Sequence, residues 1–124
     1  MFGQLKYKYN VITLCGSTRF KAAFYEWNAR LSMEGNVVFS VAMWSHCQQI
    51  QPTIEQKRLL DDIYKQKIYM SNEIFVLDVG GYIGESTRSE IEFAESMDLK
   101  VKYLSKEYPE WTENDCIYFR LKEQ

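Results

Sequence analysis

The apolar run EIFVLDV, residues 73–79, leads straight into GGYIGESTRSEIEFA, residues 80–94. Such a run reads as a buried strand, and the loop after it brings glycines, hydroxyls and carboxylates to the strand's carboxyl end as a helix begins. Two roles are open to Glu90 there. In the first, Thr87-Arg88-Ser89-Glu90 is a capping box: the Thr87 hydroxyl accepts from the Glu90 backbone N–H, and the Glu90 carboxylate accepts from the Thr87 N–H. The box by itself accounts for the T-x-x-E spacing. In the second, a carboxylate at the mouth of a strand-end crevice attacks or stabilises a sugar carbon with oxocarbenium character. A second stretch, Cys15-Gly16-Ser17-Thr18-Arg19-Phe20, sets a glycine, two hydroxyls and a guanidinium at another helix start. Free N–H groups and the helix dipole favour a phosphate or carboxylate at such a place. An ordinary N-cap fits equally: Gly16 turns the chain, Ser17 or Thr18 caps, and Arg19 is solvated. Neither the G-x-x-x-x-G-K-[ST] phosphate loop nor the G-x-G-x-x-G dinucleotide fingerprint is present.

The elements that would position these residues alternate along the chain. NVITLC, residues 10–15, is a short β-branched and apolar run ended by Gly16, and reads as a buried strand. Phe20, Phe24, Trp27 and Leu31 recur at helical spacing, with Gly35 to end that helix, and are assigned to the core. VVFSV, residues 37–41, predicts a second strand, and residues 42–52 a loop ending at Pro52. Thr53 opens a helix over 54–70 that turns Leu60, Ile63 and Tyr64 inward and is closed by Ser71 and Asn72. Its Lys57, Arg58, Lys65 and Lys67 alternate with acids and read as a solvated face. Residues 73–79 predict the third strand, about 87–98 the next helix, and VKYL, residues 101–104, the fourth strand. Alternating strands and helices predict an α/β fold with a parallel sheet covered on both faces, and ligands in such sheets bind beyond the carboxyl ends of the strands.

A chain of 124 residues predicts a single domain spanning 1–124. A net charge of −2 gives no electrostatic footprint for a nucleic-acid polymer or an anionic membrane. No apolar run reaches the ~20 residues that span a bilayer. The start MFGQLKYKYN lacks an apolar signal core, so a cytoplasmic location is expected. Three cysteines without pattern, Cys15, Cys47 and Cys116, argue against a disulfide framework, and a lone His46 argues against a structural zinc site.

VITLCGSTRF and GESTRSEIEFA together resemble the nucleoside 2-deoxyribosyltransferase superfamily, which includes the 2′-deoxynucleoside 5′-phosphate N-hydrolases; the resemblance spans residues 10–104. It implies a flavodoxin-like parallel sheet, a nucleoside or nucleotide substrate, and no metal or cofactor. It implies that Glu90 is the nucleophile on C1′ of the sugar. It implies that Gly16, Ser17 and Thr18 hold the sugar or its phosphate, that Arg19 pairs with the phosphate through charge-assisted hydrogen bonds, and that Gly84, Ser86 and Thr87 contribute near a second anion contact. Asp78, ending the third strand, is a candidate to orient a ribose hydroxyl, or a strand-end turn former.

Departures from that pattern matter. Family members carry an aspartate late in the second helix that helps protonate the base; here Lys67 aligns with it. Six residues before the nucleophile the transferases have an aspartate, where this chain has Gly84 beside Glu85. The proton that a departing base needs is therefore expected from Glu85, Asp62 or a neighbouring subunit. Trp44, with His46 and Cys47, is a candidate base-pocket residue, and Tyr82 either stacks on a base or packs over the sheet. The aromatic tail from Trp111 to Leu121 either forms the interface of a homodimer or larger homo-oligomer, which the resemblance implies, or folds back as an edge strand. Two functions follow: cleavage or exchange of an N-glycosidic bond, or a non-catalytic nucleotide-binding module of the same fold.

Overall fold

The computed structural model describes residues 8–41 and 51–116. Trp44, His46, Cys47 and the tail beyond Cys116 lie outside the described residues. The elements run β1 (Val11–Cys15), α1 (Lys21–Met33), β2 (Val37–Phe39), α2 (Ile54–Tyr69), β3 (Glu73–Val76), α3 (Glu85–Ser96), β4 (Lys100–Tyr103) and a short α4 (Leu104–Glu107). The four strands are parallel throughout, in the order β2-β1-β3-β4. This is an α/β fold with flavodoxin-like strand order.

Strand alternation divides the core into two layers. Ile12 and Leu14 of β1, with Phe75 and Leu77, meet Phe24, Trp27 and Leu31 of α1 on one face. Cys15, Ile74 and Val76 meet Tyr64 and Ile68 of α2 and Ile91 and Ala94 of α3 on the other. Helices therefore cover both faces, as the near-continuous apolar strands require. Phe20 is half-buried against the first layer.

Helix ends differ from the sequence-based expectation in ways that bear on function. Neither Ser17 nor Thr18 caps α1. The N-cap is Phe20 and has no side-chain bond, while Ser17 folds its own loop, its carbonyl accepting from the Phe20 N–H and its hydroxyl from the Arg19 N–H. The carboxyl end of α1 is as expected: Gly35 has φ +98°, and the Asn36 and Gly35 N–H groups donate to the Leu31 and Ser32 carbonyls, a Schellman closure. Thr53 does open α2, through a capping box with Gln56. Ile63, expected inside, is 42% exposed, and Ile68 takes the buried place beside Tyr64. β2 stops at Phe39 and β3 at Val76, earlier than the apolar runs that announced them. β4 and its flank are offset by one residue.

The tail folds back on α1 as far as Cys116; residues 117–121, on which the edge-strand alternative also rests, lie outside the described residues. The Trp111 ring lies 5.9 Å from Trp27 edge-on, and Tyr108 lies 4.5 Å from it. The Cys116 thiol is buried and donates to the Ala22 carbonyl and the Glu26 carboxylate. Trp111 thus packs within its own chain. Among the described residues no helix is long and apolar enough to cross a membrane.

Candidate functional site

The strand order creates the site. β1 feeds α1 on one face and β3 feeds α3 on the other, so the chain diverges beyond the ends of these adjacent strands. A crevice of about 610 Å³ opens there, within the size range of small-ligand sites. Its floor is Gly16, Ser17 and Thr18, one wall is α2, and the other is Tyr82 with the first turns of α3. Gly16 is required by close approach: a Cβ there would lie 3.2 Å from both the Leu77 carbonyl oxygen and the Leu77 Cβ.

The start of α3 removes the capping role of Glu90. The helix begins at Glu85, with Gly84 in extended conformation as N-cap and the Arg88 N–H donating to the Gly84 carbonyl. Thr87 is therefore the third helical residue, 3% exposed, and Glu90 lies nearly a turn beyond it. The Thr87–Glu90 capping box does not form. An extended Gly84 starts the helix early, and Glu85 supplies the first-turn negative charge that suits the dipole. Glu90, released from capping, lines the crevice.

Glu90 is half-buried at the crevice wall. Its Oε1 is buried and has no hydrogen-bond partner among the described residues. Burial, and secondarily the Asp61 carboxylate on α2, push its pKa up to about 8; the neighbouring Cys15 thiol and the Lys65 ammonium oppose this. These surroundings favour the protonated form of Glu90 at neutral pH. Cys15, fully buried at the end of β1, has its thiol pKa raised well above normal by burial and then by Glu90, so it stays a neutral donor. The Tyr64 phenol is held neutral in the same way and donates to the Leu14 carbonyl.

Of the expected site residues, Gly16, Ser17, Thr18, Tyr82, Gly84, Glu85, Ser86, Thr87 and Glu90 all line this crevice. Asp78 does not. Its two carboxylate oxygens accept from the Ser105 N–H (2.9 Å) and hydroxyl (2.6 Å), which ties β3 to α4. Arg19 also stands outside the lining; its guanidinium lies 4.2 Å over the Tyr82 ring and its Nη2 donates to the Tyr82 Oη at 3.2 Å. Trp44 is outside the described residues.

The wall from α2 was missed. Lys57, Leu60, Asp61, Tyr64 and Lys67 all line the crevice, Lys57 exposed as expected and Lys67 half-buried, and Asp61 rather than Asp62 is among the lining residues. Their spacing of three and four residues is one helical stripe, a signal that was legible but mixed charges with apolar residues. The Lys67 Nζ donates to the Ser40 carbonyl at 2.7 Å, and burial lowers its pKa. Among the described residues no group of His, Cys, Asp and Glu is arranged to hold a metal ion.

What the arrangement offers is a carboxyl, hydroxyls from the loop after β1 and from the first turn of α3, two lysines and an aromatic side chain around one small-molecule cavity. Compared with protein-family models the chain matches none, and a comparison with curated proteins finds no match.

Proposed function

We propose that this protein cleaves or exchanges the N-glycosidic bond of a nucleoside or its 5′-monophosphate, with Glu90 as nucleophile. The observation that carries this reading is the placement of Glu90: in the first turns of α3, at the wall of a strand-end crevice, with a buried carboxyl oxygen that nothing else uses. The resemblance of VITLCGSTRF and GESTRSEIEFA to the nucleoside 2-deoxyribosyltransferase superfamily supports the same assignment.

In the reaction, an ionised Glu90 oxygen forms a bond to C1′ as the C1′–N bond breaks. The departing base takes a proton from a neighbouring acid, for which Asp61 and Glu85 line the same crevice. Water or a second base then attacks C1′ and frees the carboxylate. Positive charge developing on the sugar favours the ionised form of Glu90 in the transition state. The exposed Ile54, Leu59, Tyr69 and Met70 of α2 and its end suit association with a second copy of the chain, the homo-oligomer that the resemblance implies.

The test is product analysis with a panel of deoxyribo- and ribonucleosides and their 5′-monophosphates. Free base is expected from the wild type with at least one member and none from Glu90→Gln. Undiminished turnover by Glu90→Gln overturns the nucleophile role. The raised pKa of Glu90 favours a second reading, a binding module in which a neutral carboxyl donates a hydrogen bond to a nucleotide. Ligand-induced thermal stabilisation without product from any panel member selects it.

A further inference from the structure

Tyr82 is 42% exposed yet held on two sides. The Arg19 guanidinium lies 4.2 Å from its ring centroid, within cation–π distance. The same side chain donates to the phenol oxygen at 3.2 Å, and Phe20 meets the ring edge-on at 6.0 Å. Below the phenol is Gly84: a Cβ there would stand 3.2 Å from the Tyr82 Oη. Tyr82 lines the crevice and Arg19 does not. Exposed tyrosines ordinarily keep their rotamer freedom, whereas this one is fixed by a cation, an aromatic edge and a glycine that leaves room for it.

From this geometry we infer that Arg19 is a positioning residue that clamps Tyr82 as a fixed aromatic wall of the crevice, against which a planar aromatic group of the ligand stacks. The inference rests on the nucleoside reading for the identity of that group, a nucleobase. It assigns Arg19 a role different from direct pairing with a phosphate, and the two roles separate cleanly. A phosphate partner matters only to ligands that carry phosphate. A clamp on Tyr82 matters only to ligands that carry a base, and it acts through Tyr82.

Affinities of the full chain for a nucleoside, its 5′-monophosphate and ribose 5-phosphate are measured by calorimetry, in wild type, Arg19→Ala, Tyr82→Ala and the double variant. Tyr82→Ala is expected to weaken nucleoside and monophosphate alike by roughly tenfold, the scale of base–aromatic stacking. Arg19→Ala is expected to weaken both by about two- to fivefold. The double variant binds no worse than Tyr82→Ala, and ribose 5-phosphate is indifferent to all three. A loss in Arg19→Ala confined to the phosphate-bearing ligands, or losses that simply multiply in the double variant, overturns the inference while leaving the glycosidic reading intact. If neither nucleoside nor monophosphate binds the wild type, the nucleoside reading fails. The clamp is then judged by the Tyr82 signal in spectra of ring-labelled protein, assigned by its loss in Tyr82→Ala: a shift in Arg19→Ala supports it, and an unmoved signal overturns it.

Discussion

Replacing Glu90 by Gln should make this protein more stable at high pH and leave it nearly unchanged at low pH. In the folded state the carboxyl holds its proton up to about 8 against an ordinary 4.5. Between those values the folded chain binds more protons than the unfolded one, so stability falls as pH rises through this window and levels off above about 8. At 1.36 kcal/mol per pH unit the full gap corresponds to roughly 5 kcal/mol as an upper bound. Water reaching the open crevice screens the charge, and about 2–3 kcal/mol is the working figure. Gln keeps the shape of the protonated side chain and never ionises. For a chain of 124 residues one kcal/mol moves the melting temperature by about 4 °C. The melting temperature of Glu90→Gln minus that of the wild type should therefore grow by roughly 8–12 °C from pH 5 to pH 9. Titrating groups that do not interact with Glu90 cancel in this difference. Scanning calorimetry at the two pH values decides it, and a gap that stays constant would show that Glu90 is not ionising in a buried setting.

Three further outcomes follow from the same coordinates. Asp61→Asn removes a negative charge that helps hold the Glu90 proton, so the pH at which the pH-dependent stability of the wild type levels off should fall by roughly half to one unit; no movement, or an upward one, contradicts the placement of Asp61 beside Glu90. Gly16→Ala puts a Cβ 3.2 Å from the Leu77 carbonyl and side chain and should cost about 1–3 kcal/mol in denaturant unfolding, whereas an unshifted midpoint would mean the loop yields freely. Thr53→Ala loses the hydroxyl that accepts from the Gln56 N–H at 3.1 Å and should cost about 1 kcal/mol, read as a drop in melting temperature that Thr53→Ser largely restores.

The parallel sheet was legible because each strand is an apolar run bounded by glycine, asparagine or a charge, and buried strands need little else to be read. Register and helix starts were harder. Ser17 and Thr18 have the right chemistry for a cap, but Ser17 accepts from the Arg19 and Phe20 N–H groups within its own loop and α1 begins only at Lys21. The T-x-x-E spacing of Thr87 and Glu90 matched a capping box, yet the extended Gly84 started the helix at Glu85, and that shift turned the same glutamate into a crevice residue. Asp78 looked like a site residue because it ends β3; its partner Ser105 is 27 residues away, a contact no local pattern announces. On α2 the apolar pattern placed Leu60, Ile63 and Tyr64 inward, and all three line the crevice, joined there by the charged Lys57, Asp61 and Lys67. A stripe that faces a ligand cavity carries charge and apolar groups together, and hydrophobic periodicity does not separate it from a solvated face.

The central claim is that Glu90 acts as an ionised nucleophile, and the pH dependence of kcat/KM for base release tests it most directly. With a free-enzyme pKa of about 8, the rate constant should climb about tenfold per pH unit between pH 5 and pH 7 and flatten above pH 8, and the rise should vanish in Glu90→Gln along with the activity. A rate that falls as pH rises through 8 would make Glu90 a proton donor, and a pH-independent rate retained in Glu90→Gln would contradict the account outright.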